Sequence, residues 1–246
     1  MVYPKLKDKH LHESLFNPEE TVDKLKKKFV NLPKKYLLFY EDYALTYLKK
    51  KYKPQKVKIN PRMTIWVYKN IGFVRMMGIG SPYVTGYLEN LIALGGNIFI
   101  NIGLAGGLHK QGFFLCIKSL RDEGTSYHYL PHGDYSFPDK NLTRKLGKSM
   151  KNLDIEFKEG TSWTTDAFYR ETKKEVEKYS KRGISTVEME SSALFAVAKY
   201  RKVKMTSAFV VSDVLKDKWD NRMAHFNTKN GLKRLLDAGV DCLSIN

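Results

Sequence analysis

The chain has 246 residues, with 43 Lys and Arg against 26 Asp and Glu, a formal net charge of +17. That length holds one large α/β domain or two small ones with a substantial core, and 42% hydrophobic residues with 13% aromatics exclude a disordered chain. No apolar run is long enough to span a membrane, and Lys, His and Glu dot the first thirty residues, so neither a membrane span nor a secretion signal is expected.

Residues 5–35 form a charged, amphipathic entry segment, in which Asn17-Pro18-Glu19-Glu20 supplies an N-cap, a first-turn proline and acids for a helix start. Tyr36–Tyr40 is a short apolar run of the kind that makes a buried strand, and a helical pattern follows over Tyr43–Tyr52. Lys56–Asn60, Thr64–Tyr68 and Gly72–Met77 have the β-branched and aromatic content of successive strands, broken at Pro61 and at Asn70-Ile71-Gly72. Gly78-Ile79-Gly80-Ser81-Pro82 is a glycine turn opening a helix over Tyr83–Leu94, which Gly95-Gly96 stops. Asn97–Ile102 is another apolar strand, running into Gly103-Leu104-Ala105-Gly106-Gly107. Strand, glycine turn, helix, glycine stop and strand in this order are a βαβ unit. The second half predicts a strand at Asp154–Phe157, a helix at Thr172–Lys181, a strand at Ile184–Val187, a helix at Ser191–Tyr200, a strand at Lys204–Val211 and a terminal helix to Ala238. No composition break, linker or repeat interrupts the pattern. Residues 1–246 are therefore expected to form one α/β domain, with residues 1–35 a basic segment suited to an inter-subunit arm.

The positive charge first suggests a polyanion partner, but its distribution argues against nucleic acid. Residues 1–60 alone hold 15 Lys against 7 acids, and Lys lacks the planar fork with which Arg grips phosphate. No zinc-finger spacing, aromatic RNA-binding motif or basic heptad region is present. Two cysteines, Cys116 and Cys242, make no disulfide framework and suit a reducing compartment. The expected location is the cytoplasm.

In α/β sheets, ligands sit where strands end and glycine loops begin. The Gly78–Gly80 turn is suited to an anion at a helix start or to a simple strand-to-helix connection. The glycines of Asn101–Gly107 signify close backbone approach to a ligand or to another strand. Glu188 and Glu190 flank Met189 where a strand gives way to a helix of small and apolar residues. Buried acids need partners, either helix amides or ligand hydroxyls, and capping accounts comfortably for only one of the two. Ser212-Asp213 after Ala208–Val211 places a carboxyl at a strand end, as an N-cap or as an acid. No nucleophile elbow, Walker loop or HExxH occurs, and the histidines have no ligand spacing, so no metal or redox cofactor is expected.

Together, Gly78-Ile79-Gly80-Ser81-Pro82, Thr164-Thr165-Asp166-Ala167-Phe168-Tyr169, Val187-Glu188-Met189-Glu190 and Ser212-Asp213 resemble the nucleoside phosphorylase family, which spans purine nucleoside phosphorylases, uridine phosphorylases and the methylthioadenosine/adenosylhomocysteine nucleosidases. The resemblance runs from Tyr36 to the C-terminus. It implies a three-layer α/β/α sandwich with a mixed, partly barrel-like sheet, and cleavage of a nucleoside's N-glycosidic bond through a ribosyl cation. It also implies roles. Glu190 would accept the ribose hydroxyls with Glu188 beside it, Met189 would pack on the sugar, and Phe168 would stack on the base. Asp213, aided by Ser212, would protonate a purine N7 as the base departs. Gly80, Asn101, Gly103 and Ala105 would line the loops around the sugar and the acceptor.

The bacterial phosphorylases of this family carry an arginine-bearing loop after the first strand, and a second arginine where this chain has Asn101. Here the first loop reads Tyr40-Glu41-Asp42-Tyr43. The nucleosidases resemble this chain in Asn101-x-Gly103-x-Ala105-Gly106-Gly107 and in acids after the first strand, which makes Glu41 the expected activator of water. The acceptor is therefore expected to be water. Phosphate as a co-substrate is the alternative, held by Arg75, Lys110 or Arg170, and a non-catalytic nucleoside-binding protein is another. His12 is the residue that resembles an N-terminal histidine reaching a neighbouring subunit's sugar. The polar residues of Arg121–Tyr129 correspond to base-side and interface loops, and a homo-oligomer, dimer or hexamer, is implied.

Overall fold

A computed structural model of the chain describes residues 3–29, 31–215, 219–221 and 225–245. Residues 1, 2 and 30 of the N-terminal segment lie outside them. The elements in chain order are α1 (Pro18–Lys28), β1 (Lys35–Phe39), α2 (Asp42–Tyr52), β2 (Gln55–Asn60), β3 (Met63–Tyr68), β4 (Ile71–Arg75), α3 (Ser81–Ala93), β5 (Ile98–Gly107), β6 (Phe113–Asp122), β7 (Tyr135–Ser136), α4 (Lys140–Asn152), β8 (Phe157–Thr165), α5 (Lys173–Lys181), β9 (Ile184–Glu188), α6 (Ser191–Tyr200), β10 (Lys204–Leu215), β11 (Trp219–Asn221) and α7 (Phe226–Ser244).

All the strands belong to one mixed sheet, ordered β11-β10-β6-β8-β9-β5-β1-β4-β3-β2, with β7 on β6. A further pairing of β10 with β5 closes β10, β6, β8, β9 and β5 into a ring, so half of the sheet is a small barrel and the other half an open wing. The strands β1, β4, β5 and β10 run parallel to one another, as do β6, β8 and β9. The two groups meet antiparallel twice, where Ala208–Val210 of β10 pairs with Phe113–Leu115 of β6 and where β5 touches β9 at Gly106 against Val187 and Gly107 against Thr186. That overlap joins the tail ends of both strands, so the carboxyl ends of β5 and β9 meet there. The functional chemistry collects at that junction.

Helices cover both faces. On one side, Val22 of α1, Leu88 and Leu91 of α3, and Leu194 and Phe195 of α6 pack on Tyr36, Leu38 and Phe99. On the other, Leu48 of α2, Leu142, Leu146 and Met150 of α4, and Leu232, Leu235 and Leu236 of α7 pack on Leu37, Phe39, Ile100 and Ile102. Alternate residues of β1 thus feed opposite cores, as the period of two requires. Each fully buried Leu or Phe contributes about 1.5–3 kcal/mol, which makes the two cores the main adhesive of the three layers. A third cluster joins Val176 and Tyr179 of α5 to Trp163, Val187 and Leu215. No helix among the described residues is long and apolar enough to cross a membrane.

The local rules account for the helix starts. Asn17 and Glu20 form a capping box at α1, as do Thr172 and Glu175 at α5. Several boundaries differ from the sequence expectation. Gly103–Gly107 is not a loop but the second half of β5, with Gly106 so close to β9 that a Cβ would stand 2.9 Å from Val187 Cγ1. The strand expected at Asp154–Phe157 begins at Phe157 and continues to Thr165, because Asp154 takes a left-handed turn with φ of 52° after α4. The terminal helix continues past Ala238 to Ser244. The elements β6 and α4 have no counterpart in the sequence pattern. α4 has few apolar residues and its face is narrow, Leu142, Leu146 and Met150 at intervals of four.

Candidate active site

Glu188 ends β9 and Ser191 begins α6, so Glu188, Met189 and Glu190 form the bend between them. The two carboxylates have separate tasks. Glu188 Oε2 accepts the backbone N–H groups of Glu190 at 2.9 Å and Ser191 at 2.7 Å, which caps α6. Its Oε1 accepts the hydroxyls of Thr164 at 2.6 Å and Ser162 at 3.1 Å. Burial raises this carboxyl above its ordinary range, against the pull of those four bonds. Behind it Ser119 bonds Thr164 at 2.7 Å and Thr186 donates to Ser162 at 3.2 Å, so the hydroxyl-rich strand β8 is buried with its polar atoms paired.

Glu190 turns the other way. Its Oε1 accepts the Gly80 N–H at 2.7 Å and its Oε2 the Met189 N–H at 3.3 Å, while Ser81 donates its hydroxyl to the Met189 carbonyl at 2.7 Å. The glycine turn and the acidic bend are therefore one unit, and the anion at the start of α3 is the chain's own carboxylate. Burial, then the neighbouring Glu188 charge, push Glu190 up to about 8, with the two N–H groups opposing. Gly80 has φ of 93°, a conformation that L side chains rarely adopt. An added Cβ would stand 4.0 Å from Met189 Cε, so there is room and the penalty is conformational. Gly80→Ala is expected to lower stability by about 1–2 kcal/mol, read as a lower urea midpoint with unchanged slope.

The second group of residues follows β1. Tyr40 donates its hydroxyl to Asn101 Oδ1 at 2.9 Å, and its ring covers Gly103, 3.4 Å from where a Cβ would be. Asn101 is fully buried in β5 and donates its Nδ2 to Ser207 at 3.3 Å, and Ser191 Oγ bonds Ser207 at 3.1 Å. This chain of bonds ties β1, β5, β10 and α6 together behind Glu190. Burial raises the Tyr40 phenol well above its ordinary value, and the charges of Glu190 and Glu188 add to this. Glu41 is half-buried and raised by burial and by Asp42, while Arg75 and Lys229 pull it down. Arg75 Nη1 meets Asp42 Oδ1 at 3.1 Å.

Asp213 and Ser212 lie on β10 at a β-bulge, where both are buried. Ser212 donates to Asp213 Oδ1 at 2.6 Å and to the Ala105 carbonyl at 3.4 Å. Asp213 Oδ2 lies over Gly106, 3.6 Å from the place of a Cβ. Phe168 sits on a 3₁₀ turn, Phe168–Arg170, where it is 44% exposed with its ring centroid 4.0 Å from that of Tyr169. Arg170 is exposed and acts on Glu175 of α5. His12 is exposed on the arm. The arm is fixed by Tyr3, whose hydroxyl lies 2.8 Å from His128 Nε2.

The structure thus brings Gly80, Glu188, Met189 and Glu190 into one hydrogen-bonded unit, ties Asn101 and Gly103 to Tyr40, with Glu41 next in the chain, and sets Ser212, Asp213 and Ala105 together. Arg170 and His12 stand apart from these. Three further residues belong to the site's surroundings. Tyr40 ends an apolar run and has no motif of its own. Glu123 accepts Ser192 Oγ at 2.8 Å and the amide of Thr125 at 2.6 Å, fixing the Arg121–Tyr129 segment against α6. Glu171 follows Arg170 in a charge-rich stretch. The one sequence signal for it is that the capping box of Thr172 uses Glu175, which leaves Glu171 without that role.

Residues 41–243 match the phosphorylase superfamily as a sequence family. A uridine phosphorylase of Treponema pallidum is 27% identical over 153 residues, 56% of this chain and 59% of that protein. A DeoD-type purine nucleoside phosphorylase of Bacillus cytotoxicus is 28% identical over 147 residues, 57% of this chain and 62% of that protein. The chain therefore matches about three-fifths of the length of these curated relatives. Among solved structures, an AMP nucleosidase from Bacteroides thetaiotaomicron superposes with a TM-score of 0.78 at 23% identity, covering 94% of this chain and 98% of the other. A purine nucleoside phosphorylase from Toxoplasma gondii in complex with immucillin-H gives 0.77 at 20% identity, over 87% and 91%. At these identities the superpositions establish the shared fold, and the sequence match over most of the chain establishes the lineage: the protein belongs to the phosphorylase superfamily.

Proposed function

We propose that the protein cleaves the N-glycosidic bond of a purine-type nucleoside, with water as the acceptor. The observation that carries this reading is the way the chain's own carboxylates surround the site and occupy its donors. The N–H groups of Gly80, Met189, Glu190 and Ser191 are taken by Glu190 and Glu188, the Tyr40 hydroxyl by Asn101, and the Arg75 guanidinium by Asp42. A multiply charged phosphate needs such donors, and the ionised form of these acids repels it. A ribosyl cation gains from the same negative charge. In this reading Glu190 takes the ribose hydroxyls, Met189 packs on the sugar, Phe168 stacks on the base, and Asp213 delivers the proton that lets the base leave neutral. Glu41, half-buried and raised above its ordinary range, activates the water as general base. The two matched relatives and the Toxoplasma gondii structure are phosphorylases by name and the Bacteroides thetaiotaomicron structure is a nucleosidase by name, and it is the donor occupancy that favours the second kind of chemistry.

The test is base release from purine and pyrimidine nucleosides and from adenosine 5′-monophosphate, with and without phosphate. The expected result is release of a purine base at a rate that phosphate leaves unchanged, with the free sugar as second product. Release that requires phosphate and yields a sugar 1-phosphate overturns the assignment of water. Absence of release from every compound overturns the enzymatic reading.

A further inference from the structure

Between Asp42 and Glu89 the chain holds seven Lys and two Arg and not one acid, a share of the +17 charge to which the chemistry above gives no task. The stretch builds α2 and the wing strands β2, β3 and β4, with β2 at the edge of the sheet. Two of these cations are paired, Lys51 Nζ with Asp237 Oδ2 at 2.7 Å and Arg75 with Asp42. Lys49, Lys50, Lys53, Lys56, Lys58 and Lys69 are exposed and make no ion pair among the described residues. The fold gathers them on the α2 side of the wing. Lys49 from α2 and Lys56 from β2 both set their ammonium groups over the Trp66 ring, 4.6 and 5.5 Å from its centroid. Lys56 lies opposite Trp66 in the β2–β3 ladder, and Lys58 follows opposite Thr64, on the same face because side chains alternate along a strand. Lys53 sits in the short turn that joins α2 to β2. At the β3–β4 turn Lys69 Nζ lies 5.4 Å from the centroid of Tyr68, a ring that packs on Tyr52 at 5.1 Å.

We propose that this basic face docks the protein on an anionic lipid surface, held by charge and without insertion. Like charges gathered without partners repel one another, and a dense external anion gains from all of them at once. The ring contacts hold Lys49 and Lys56 in place before any partner arrives. Residues 43–76 expose no large apolar side chain, so the face has nothing to bury among acyl chains. A nucleic acid is gripped by Arg forks or by bases stacked on free aromatic faces. Here the six unpaired groups are all Lys, and the half-buried Trp66 and Tyr68 rings already carry the chain's own ammonium groups. A layer of mobile anionic headgroups needs no fixed geometry and attracts each lysine as a point charge. The edge strand β2 stands four strands from β5, roughly 19 Å at the usual strand spacing, so a wing lying on a membrane leaves the junction of β5 and β9 open to substrate.

The experiment is co-sedimentation of the full chain with phosphatidylcholine vesicles, with and without about one-third phosphatidylserine, and a parallel titration of a single-stranded oligonucleotide. The wild type should bind the phosphatidylserine vesicles at about 0.1 M salt, release them at about 0.5 M, and leave pure phosphatidylcholine unbound. Lys56→Glu with Lys58→Glu should lower the partition coefficient at least about tenfold, and the milder pair Lys56→Gln with Lys58→Gln about fivefold. Lys148→Glu with Lys151→Glu, exposed on α4, makes the same change in net charge away from the wing and should cost less than about threefold. Thermal melts confirm that each variant is folded, and the Gln pair carries the test if the Glu pair is not. A wild type that ignores phosphatidylserine vesicles overturns the proposal. Equal losses in the wing and α4 pairs overturn it too, since net charge alone then governs binding. Tighter binding to the oligonucleotide than to the vesicles, lost in the wing pair, assigns the face to nucleic acid and overturns the lipid partner. None of these outcomes touches the reading of the active site.

Discussion

Asp213→Asn is expected to slow base release from a purine nucleoside by about 10²–10⁴-fold, the usual worth of a positioned general acid, and to leave the fold intact. The substitution is isosteric, and the hydrogen bond from Ser212 to Asp213 Oδ1, 2.6 Å long, survives because an amide oxygen accepts it equally well. An amide has no proton to give to the purine N7, so the base must depart as an anion or with a proton from water. The loss should fall on kcat, because the proton moves only in the transition state. Steady-state kinetics with a thermal melt of the same preparation check this. A variant with near wild-type turnover, or one whose melt shows unfolding at assay temperature, rejects the assignment of Asp213 as the acid.

Glu190→Gln is expected to act in opposite directions on stability and activity. The Glu190 carboxyl lies at about 8 in the fold against an ordinary 4.5, so ionising it costs the native state more than the unfolded one. The sign follows from linkage: stability is fully present below about 4.5 and declines as pH rises towards 8, because the unfolded chain releases the proton first. Gln has no proton to release and imitates the protonated form, with an oxygen still available to the Gly80 N–H. The variant should therefore match the wild type near pH 4.5 and exceed it by a few kcal/mol at pH 8, read as a higher melting temperature. Base release should drop by about 10²-fold or more, because the charge that is unfavourable in the empty site is the one a cationic sugar rewards. Melts at pH 5 and 8 beside a turnover assay measure both. A variant less stable than the wild type at pH 8 contradicts the account of Glu190 as a strained acid, and such opposition between stability and activity is typical of functional groups held in unfavourable surroundings.

The same pair shows how far a motif is informative by itself. The spacing of Glu188 and Glu190 reveals that two acids lie at a strand end, and that a helix cap accounts for one. It does not reveal which. In the fold Glu188 faces inward and receives four donors, whereas Glu190 reaches across to Gly80, because Glu188 is the last residue of β9 while Glu190 lies past the strand end, in the bend that starts α6. Gly78–Gly80 likewise reads as an anion-binding turn, and the anion it holds is a residue 110 positions away. The glycines of Asn101–Gly107 suggest a loop, since isolated glycines weaken a strand. They sit inside β5 because β9 and β10 approach on either side, a fact that depends on the barrel closing.

The sequence by itself determined the α/β class, most of the helices and strands in order, the lineage, and the list of acids and glycine turns from which the site is built. These follow from local rules such as hydrophobic period, caps and glycine turns, and from motif order, all of which act over a few residues. Only the tertiary structure decided that Tyr40 belongs beside Asn101 and that Glu188 caps while Glu190 spans to Gly80. Those relations depend on which strands are neighbours in the sheet and on the helices packed against them. A buried carboxyl's protonation depends on the charges and donors that packing brings within a few ångströms, whatever their distance along the chain.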